Sequence, residues 1–379
     1  MKTFFSTKRS KPLRILFCGS DEFSSGSLQA LYQEQQRDPA GIKSIDVLCR
    51  PSKRVQRDGK SIREGMIHVL LPWIVSDPKI VPIKTVADGL GLRVHQRDTF
   101  TGWNLPTPEG EAINLIVAVS FGLFVPPRIL KSAEYGGLNV HPSLLPKYAP
   151  FQCLYWICTN DINSLRGAAP LQWTIMKGLD TTGVTLQTLD DKLFDHGKIL
   201  LQTPPINLQG VGLHKPTYSH LRDLVTSHAQ QLLVQGIRER VFVPPLHEMP
   251  SNNDSTDLIF AGKLKAGDEE IDWTRTYTQI ARQYRAMGPL WATMRRGTGG
   301  ENVRVTLDDI EEVPREERHV RGRLLAVGPN GETSLNFGAR KDGSIFILGE
   351  HDDLRVGKIT LEGKRRVKGR EAAETLRVR

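Results

Sequence analysis

Residues 114–146 read NLIVAVSFGLFVPPRILKSAEYGGLNVHPSLLP, and this stretch decides the fold class. Its opening, Asn114–Val119, is an apolar run of the kind that is buried on both faces in a parallel sheet. A second strand, Leu138–His141, follows further along the chain. Ligands of parallel sheets bind beyond the carboxyl ends of the strands, so the polar residues at these ends are the first candidates for a functional site.

Strand-like and helix-like stretches alternate on both sides of this segment. The predicted strands are Arg14–Gly19, Ser44–Cys49, Leu92–Gln96 and Thr182–Leu189, and the predicted helices include Ser24–Gln36 and His220–Glu239. Such alternation predicts an α/β fold with a doubly wound, mostly parallel, Rossmann-like sheet over residues 13–240.

The remainder of the chain has a different pattern. Residues 241–262 contain three prolines and a polar run, which predicts a linker. After it, a helix is predicted at Asp272–Met287, and short strands are predicted at Asn302–Thr306, Gly322–Val327, Ser344–Leu348 and Leu354–Leu361. Short strands separated by turn signals indicate a small, OB-like β-barrel domain over residues 263–379.

Composition places the chain among ordinary globular proteins. Of its 379 residues, 39% are hydrophobic and 25% are charged, and no apolar run is long enough to cross a bilayer. The four cysteines are too few for a disulfide scaffold, and Cys153 and Cys158 have no second Cys/His pair at zinc-finger spacing. We therefore expect no membrane span, a reducing compartment and no structural metal.

The net charge of +9 favours an acidic partner such as nucleic acid. The positive charge is concentrated in two stretches, one from Arg50 to Arg63 and one from Arg355 to the end of the chain. For either stretch alone, a solvated surface is an equally good interpretation. The first residues are rich in Lys, Arg, Ser and Thr without any acid, which favours a short organellar presequence over residues 1–12 and a location in the mitochondrial matrix rather than the cytoplasm.

Three residues combine into a candidate catalytic site. Asn139 and His141 alternate along a strand end, so both side chains can point into the same crevice, and Asp195 lies in a tight turn before another strand. An amide, an imidazole and a carboxylate can together supply a donor to a developing oxyanion, a general base and a group that orients the base. Taken singly, Asn139 could cap a turn, His141 could be a satisfied buried histidine and Asp195 could be an N-cap. Together, at strand ends, they favour catalysis.

Four motifs resemble the folate-dependent formyltransferase family: NVHPSLLP (139–146), RGAAPLQW (166–173), TGVTLQTLD (182–190) and DHG (195–197). ILFCGSDEF (15–23) also fits the first strand and turn of that family. The resemblance implies that Asn139, His141 and Asp195 are catalytic and that 10-formyltetrahydrofolate is the formyl donor. It also implies a folate pocket formed by two segments, namely Val119, Ser120, Phe121, Gly122, Leu123 and Ser143, Leu144, Leu145, Pro146.

Further motifs choose among the branches of the family. RGAAP (166–170) is typical of the branches that act on tRNA and on amino sugars, and IDW (271–273) with RQYRAMGPLW (282–291) resembles the link into the carboxyl-terminal domain of methionyl-tRNA formyltransferases. LRVGKITLEGKRRVKG (354–369) resembles the end of that domain. The resemblance implies formylation of initiator methionyl-tRNA by a monomer. The implied tRNA contacts are Arg54, Arg57, Lys60, Arg63, Arg166, Lys364, Arg365, Arg366 and Lys368.

Two alternatives stay open at this point. A formyltransferase for a nucleotide-linked amino sugar would use the same three catalytic residues but would give the basic barrel no role. A catalytically silent tRNA- or folate-binding protein would keep the fold without turnover.

Two hydrophobic segments, at about 65–80 and 148–164, depart from the family pattern and lack turn residues. For both segments, codons exist that would give the gene an intron start, a branch-like sequence and an intron end. Removal of either segment would join the flanking residues into a sequence like that of the family. We hypothesise that they are translated introns. The competing interpretation is that they are lids over the folate or tRNA sites.

Overall fold

The computed structural model describes residues 8–52, 81–145, 164–249, 258–315, 319–328 and 331–378. Several predictions lie outside these residues. They concern most of the predicted presequence, nearly all of the two departing segments, the sites predicted at Arg54, Arg57, Lys60, Arg63 and Pro146, and the cysteines Cys153 and Cys158. The chain forms two compact units. The first ends at Lys263 and the second begins at Leu264, except that Ile175–Gly178 group with the second unit.

The first unit is built on a seven-stranded sheet in the order β3-β2-β1-β4-β5-β8-β9. The strands up to residue 263 are β1 Leu13–Gly19, β2 Ile42–Cys49, β3 Arg93–Gln96, β4 Leu115–Val119, β5 Gly137–His141, β6 Ser164–Arg166, β7 Thr181–Thr182, β8 Thr185–Thr188, β9 Ile199–Gln202, β10 Ile206–Asn207 and β11 Leu258–Phe260. The helices of the same stretch are α1 Glu22–Arg37, α2 Pro82–Gly89, α3 Pro127–Ser132, α4 Pro170–Lys177 and α5 Tyr218–Arg238.

Strands β1 to β5 of this sheet run parallel, and β8 and β9 extend it in antiparallel fashion. The prediction of a mostly parallel α/β sheet is therefore confirmed. All five residues of β4 are buried, because a central parallel strand is covered on both faces. Helix α1 begins directly after β1, where the Asp21 carboxylate accepts from the Ser24 backbone N–H and caps it.

Two predicted boundaries were wrong. The strand predicted at Thr182–Leu189 is interrupted: β7 pairs with β10 outside the main sheet, and only β8 joins β5. The Val184 backbone N–H binds the Thr203 hydroxyl at 3.0 Å and so leaves the ladder. The predicted linker 241–262 contains strand β11, whose residues pair in parallel with β6.

The second unit is a closed barrel. Its elements are α6 Tyr277–Met287, β12 Leu290–Arg295, β13 Asn302–Pro314, β14 Gly322–Gly328, β15 Gly331–Ala339, β16 Ile345–Ile347, β17 Asp352–Leu361, β18 Val367–Lys368 and α7 Gly369–Leu376. Pairing of β13 with β17 closes six antiparallel strands into a ring, and β18 adds to β17. The predicted barrel is confirmed, although β13 is longer than expected and β15 was missed because its sequence, GETSLNFGA, has few apolar residues.

Within the described ranges, no helix is both long and apolar enough to cross a membrane. The same residues contain no cluster of three or more His, Cys, Asp or Glu side chains that could hold a metal ion. Cys18 and Cys49 are buried free thiols at the ends of β1 and β2.

An ion pair joins the two helices α1 and α5. Arg238 binds the buried carboxylate of Glu34 in bidentate fashion, with nitrogen–oxygen distances of 2.7 and 2.5 Å. Arg37 lies 4.0 Å from the same carboxylate and its side chain is 72% exposed. Arg238 thus neutralises Glu34, whereas Arg37 contributes little.

We predict that Arg238→Gln destabilises the first unit. Removing one partner of a fully buried pair costs about 3–5 kcal/mol. Because the Arg238 side chain is 48% exposed, we expect a loss of about 1–2 kcal/mol in the free energy of unfolding. Urea unfolding measures this loss, with Arg37→Gln as the matched control. Equal losses in the two variants would contradict the assigned role of Arg238.

Candidate active site

Three predicted catalytic side chains meet at the carboxyl edge of the parallel sheet. Asn139 and His141 lie two residues apart on β5, so they project to the same face. Asp195 lies in the connection between β8 and β9, in the left-handed backbone region with a φ of 57°. Its side chain is only 12% exposed, and that of His141 is 6% exposed.

The Asp195 carboxylate is surrounded by donors. Its Oδ1 lies 3.2 Å from Asn139 Nδ2 and 3.5 Å from Gln187 Nε2. Its Oδ2 accepts from the Gly167 backbone N–H at 3.2 Å and lies 3.5 Å from His141 Nε2. Both carboxylate oxygens are therefore fixed from two sides, as a buried anion requires.

The contacts of His141 define where its protons are. The Ser143 hydroxyl lies 2.9 Å from His141 Nδ1 and 2.8 Å from the Leu165 carbonyl oxygen. A hydroxyl has one hydrogen and a carbonyl only accepts, so Ser143 donates to Leu165 and accepts from Nδ1–H. Nε2 faces two acceptors, the Gly167 carbonyl oxygen at 3.3 Å and the Asp195 carboxylate. Nδ1–H therefore faces the Ser143 hydroxyl, and Nε2 lies where a proton on it would meet an acceptor.

The surroundings lower the pKa of Asp195 below its ordinary value. Burial acts in the opposite direction and raises the pKa of the carboxyl. The charge and hydrogen bond of His141, the Gly167 N–H and the charge of Arg166 together outweigh this effect. Asp195 is consequently ionised at neutral pH, so that it can accept a proton from a group that becomes acidic during a reaction.

Two glycines make this arrangement sterically feasible. Gly167 has a φ of 124°, and a Cβ at this position would lie 2.3 Å from the Ala261 carbonyl oxygen. A Cβ on Gly197 would lie 1.6 Å from the Thr188 carbonyl oxygen. The glycines of RGAAP and DHG therefore allow close backbone approach on either side of Asp195.

The residues predicted to bind folate occupy different environments. Val119, Phe121 and Leu145 are buried, and Phe121 packs in the core. Ser120 and Gly122 have φ values of 46° and 72° and form an exposed turn after β4, with Leu123 half-buried beside it. A ligand could reach this first segment through the turn rather than through Val119 or Phe121. Ser143 is buried against His141, and Leu144 is half-buried.

An open cavity adjoins this turn. It is lined by Asp98, Thr99, Phe100, Thr101, Leu123, Phe124, Pro126 and Arg128. Phe124 meets Phe194, the residue before Asp195, in an edge-to-face contact with ring centroids 5.3 Å apart. Phe194 is 61% exposed, so an apolar surface lies directly beside the carboxylate.

The predicted tRNA contacts fall into two groups. Arg166, on β6, is close enough to lower the pKa of Asp195 and so belongs to the active site. On the barrel, Lys364, Arg365 and Lys368 are exposed, whereas Arg366 pairs with Asp308 at 2.9 Å. Part of the Arg366 charge is therefore used within the unit.

Sequence reasoning missed Gly167 and Gln187 as contacts of Asp195. In the sequence, Gly167 stands out only as part of the RGAAP motif (166–170). Gln187 is a fully buried amide in a strand whose other residues are apolar or Thr. A glutamine in such a strand was the only sequence feature that could have pointed to it. The roles of the catalytic, folate and tRNA residues stay predictions.

Two family models match the chain. One described as "Formyl transferase" matches residues 76–234, and one described as "Formyl transferase, C-terminal domain" matches residues 263–377. The mitochondrial methionyl-tRNA formyltransferase of Saccharomyces cerevisiae is 29% identical over 74% of this chain and 69% of its own length. The methionyl-tRNA formyltransferase of Bacillus cereus (strain AH187) is 26% identical over 94% of this chain and 93% of its own. Among solved structures, HypX from Aquifex aeolicus in complex with tetrahydrofolic acid aligns with a TM-score of 0.49 and 17% identity, covering 96% of this chain and 47% of HypX.

We predict that Gly167→Ala disrupts the contact between β6 and β11. The added Cβ combines a strained backbone with a clash against a carbonyl oxygen, so we expect a loss of about 2–4 kcal/mol in the free energy of unfolding. Gly212→Ala is the control: its φ of 80° is also positive, but its Cβ would meet no atom within 4 Å. We expect the control to lose only about 1 kcal/mol. Equal losses in urea unfolding would show that the close approach is unimportant.

Proposed function

We propose that this chain, which belongs to the formyl transferase family, transfers a formyl group from 10-formyltetrahydrofolate to the α-amino group of initiator methionyl-tRNA. The observation that carries the proposal is the meeting of an amide, an imidazole and an ionised carboxylate at the carboxyl edge of the sheet. These three groups provide the donor, the charge stabilisation and the proton acceptor that formyl transfer to an amine needs.

The roles follow from the positions of the protons. Asn139 Nδ2 donates to the formyl oxygen as the amine nitrogen attacks the formyl carbon. The His141 imidazolium stabilises the negative charge that develops on that oxygen. Asp195 orients His141 and accepts the proton that the amine loses. When the bond from the formyl carbon to N10 of the folate breaks, Asp195 returns a proton to N10, through water, so the enzyme regains its starting state.

The folate donor is proposed for the surface around the Ser120–Leu123 turn. This turn lies at the carboxyl end of β4, next to the strand that carries Asn139 and His141. The adjoining cavity presents aromatic walls from Phe100 and Phe124 and charged side chains from Asp98 and Arg128. An aromatic heterocycle with a polar edge fits such a surface.

The acceptor is proposed to be tRNA because a second, basic unit accompanies the catalytic one. Both relatives described above are methionyl-tRNA formyltransferases, and the second family model covers the barrel. On the barrel, exposed Arg304 stacks over the Trp291 ring at 4.1 Å, an arrangement that suits nucleic acid. Exposed Lys364, Arg365 and Lys368 add positive charge that can contact phosphates.

The place of action is proposed to be the mitochondrion. The presequence predicted over residues 1–12 and the mitochondrial relative from yeast support this location. In that compartment the product, formylmethionyl-tRNA, would start organellar translation.

We predict that Asn139→Ala and Asp195→Ala each reduce turnover by at least about 100-fold while the fold is kept. The assay follows formyl transfer from 10-formyltetrahydrofolate to initiator methionyl-tRNA, using this chain and a version without residues 65–80 and 148–164. Activity only in the shortened version would support the intron hypothesis. Near-normal turnover in either variant would remove that residue from the mechanism. Activity on an amino-sugar nucleotide and none on tRNA, in both parent chains, would instead favour the amino-sugar enzyme.

We predict that reversing two barrel charges weakens tRNA binding. Lys364→Glu with Arg365→Glu should raise the Kd for tRNA by about 10- to 100-fold and reduce the slope of log affinity against log salt by about 2. The control, Lys43→Glu with Lys215→Glu, makes the same charge change at exposed positions of the first unit. Equal loss of affinity in both double variants would indicate a general charge effect and contradict a specific barrel contact.

A further inference from the structure

A buried glutamine lies beneath the catalytic residues. Gln187 on β8 is the direct antiparallel partner of Asn139 on β5, so the two side chains share one face of the sheet. Gln187 is 1% exposed, whereas Asn139 is half-buried. Gln187 therefore contacts the site from within the protein, where substrate does not reach it directly.

The strand pairing is irregular at this residue. Between β8 and β9 the register shifts at Leu186 and Gln187: Leu186 pairs with Leu201 but Gln187 pairs with Ile199, which leaves Leu200 unmatched. Such bulges redirect side chains and occur next to active sites. Here the bulge lies at the start of β9, the strand that follows the Asp195 turn.

The buried amide of Gln187 carries an energetic cost. Its Nε2 lies 3.5 Å from Asp195 Oδ1, but its Oε1 has no hydrogen-bond partner among the described residues. The opposite amide orientation would place Oε1 against the carboxylate, which cannot donate. A buried oxygen without a donor destabilises the fold, so an apolar side chain would serve packing better.

Gln187 shares its acceptor with Asn139. Asp195 Oδ1 also accepts a hydrogen bond from Asn139 Nδ2, at 3.2 Å. In the proposed reaction Asn139 must direct its amide to the formyl oxygen. The amide nitrogen has two hydrogens, and turning one of them toward the formyl oxygen weakens the contact with Asp195 Oδ1 when the position of the carboxylate matters most.

We infer that Gln187 is a positioning residue, whose side-chain amide holds the Asp195 carboxylate while Asn139 turns to the formyl oxygen. The inference deepens the proposed function and rests on it, since the movement of Asn139 belongs to formyl transfer. Gln187 touches neither substrate. It acts through Asp195 and keeps that carboxylate ionised and oriented toward the attacking amine.

Removal of this donor has a defined pH signature. Asp195 faces the charged groups His141 on β5 and Arg166 on β6, and its own turn adds the neighbouring His196. A donor to the carboxylate favours the ionised form, so its loss raises the pKa of Asp195. Because the ionised form is active, kcat/KM falls as pH decreases through this pKa. The acid limb of the pH profile of kcat/KM therefore moves to higher pH in the variant.

The test compares Gln187→Met and Gln187→Glu with Gln202→Met in the full chain. Gln202 lies on β9 and donates to Leu145 O and Thr185 Oγ1, without a contact to Asp195. For Gln187→Met we expect kcat to fall about 10-fold, the KM for tRNA to stay within about 2-fold and the acid limb to rise by about 0.5–1 pH unit. Gln187→Glu should move the limb further, because it places a second carboxylate beside the first. Gln202→Met should leave the limb in place.

A second measurement needs no substrate. The ¹³Cγ resonance of Asp195, identified by its loss in Asp195→Asn, is titrated in the parent and in Gln187→Met. If the parent does not formylate tRNA, the proposed function fails, but this titration still tests the contact. An unchanged Asp195 titration, or an acid limb that stays in place while only thermal stability falls, would reduce Gln187 to a packing residue and overturn the inference.

Discussion

The buried, ionised carboxylate of Asp195 beside the imidazole of His141 is the interaction on which the rest of the site depends. Burial opposes the charge of Asp195, and the local donors more than compensate for it. Side chains from β5 and β8 and a backbone N–H after β6 converge on its two oxygens. Each of these donors favours the ionised form of the carboxylate and limits its position.

The surrounding fold explains how so many donors reach one point. The parallel strands bring Asn139 and His141 to the edge of the sheet, and the antiparallel extension through β8 and β9 brings Gln187 and the Asp195 turn to the same edge. Gly167 and Gly197 permit backbone approaches that any side chain would prevent. Ser143 donates its single hydrogen to the Leu165 carbonyl oxygen, so its own oxygen accepts from His141 Nδ1–H and fixes the ring. Catalytic geometry here depends on main-chain proximity as much as on the choice of side chains.

The local pattern of apolar and polar residues was sufficient to predict much of this fold and of the candidate site. Leu115–Val119 is apolar throughout and forms a central strand within the predicted run, and Asn139 and His141 share a face because strand residues alternate. What sequence could not predict depends on contacts between distant segments. The position of Gln187 beside Asp195 follows only from its register with Asn139 and from the bulge at Leu200. The pairing of β11 with β6 and the ion pair of Arg366 with Asp308 join residues with no local signature.

Leu145 and Leu165 stand on either side of the departing segment at about 148–164, and residues next to them are bonded to one another. Ser143 donates to the Leu165 carbonyl, and His141 Nε2 lies 3.3 Å from the Gly167 carbonyl oxygen. Residues on both sides of this segment are thus held together within the candidate site. Since the entropy of closing a loop changes only slowly with its length, the number of residues between the two sides adds little to the free-energy cost of bringing them together.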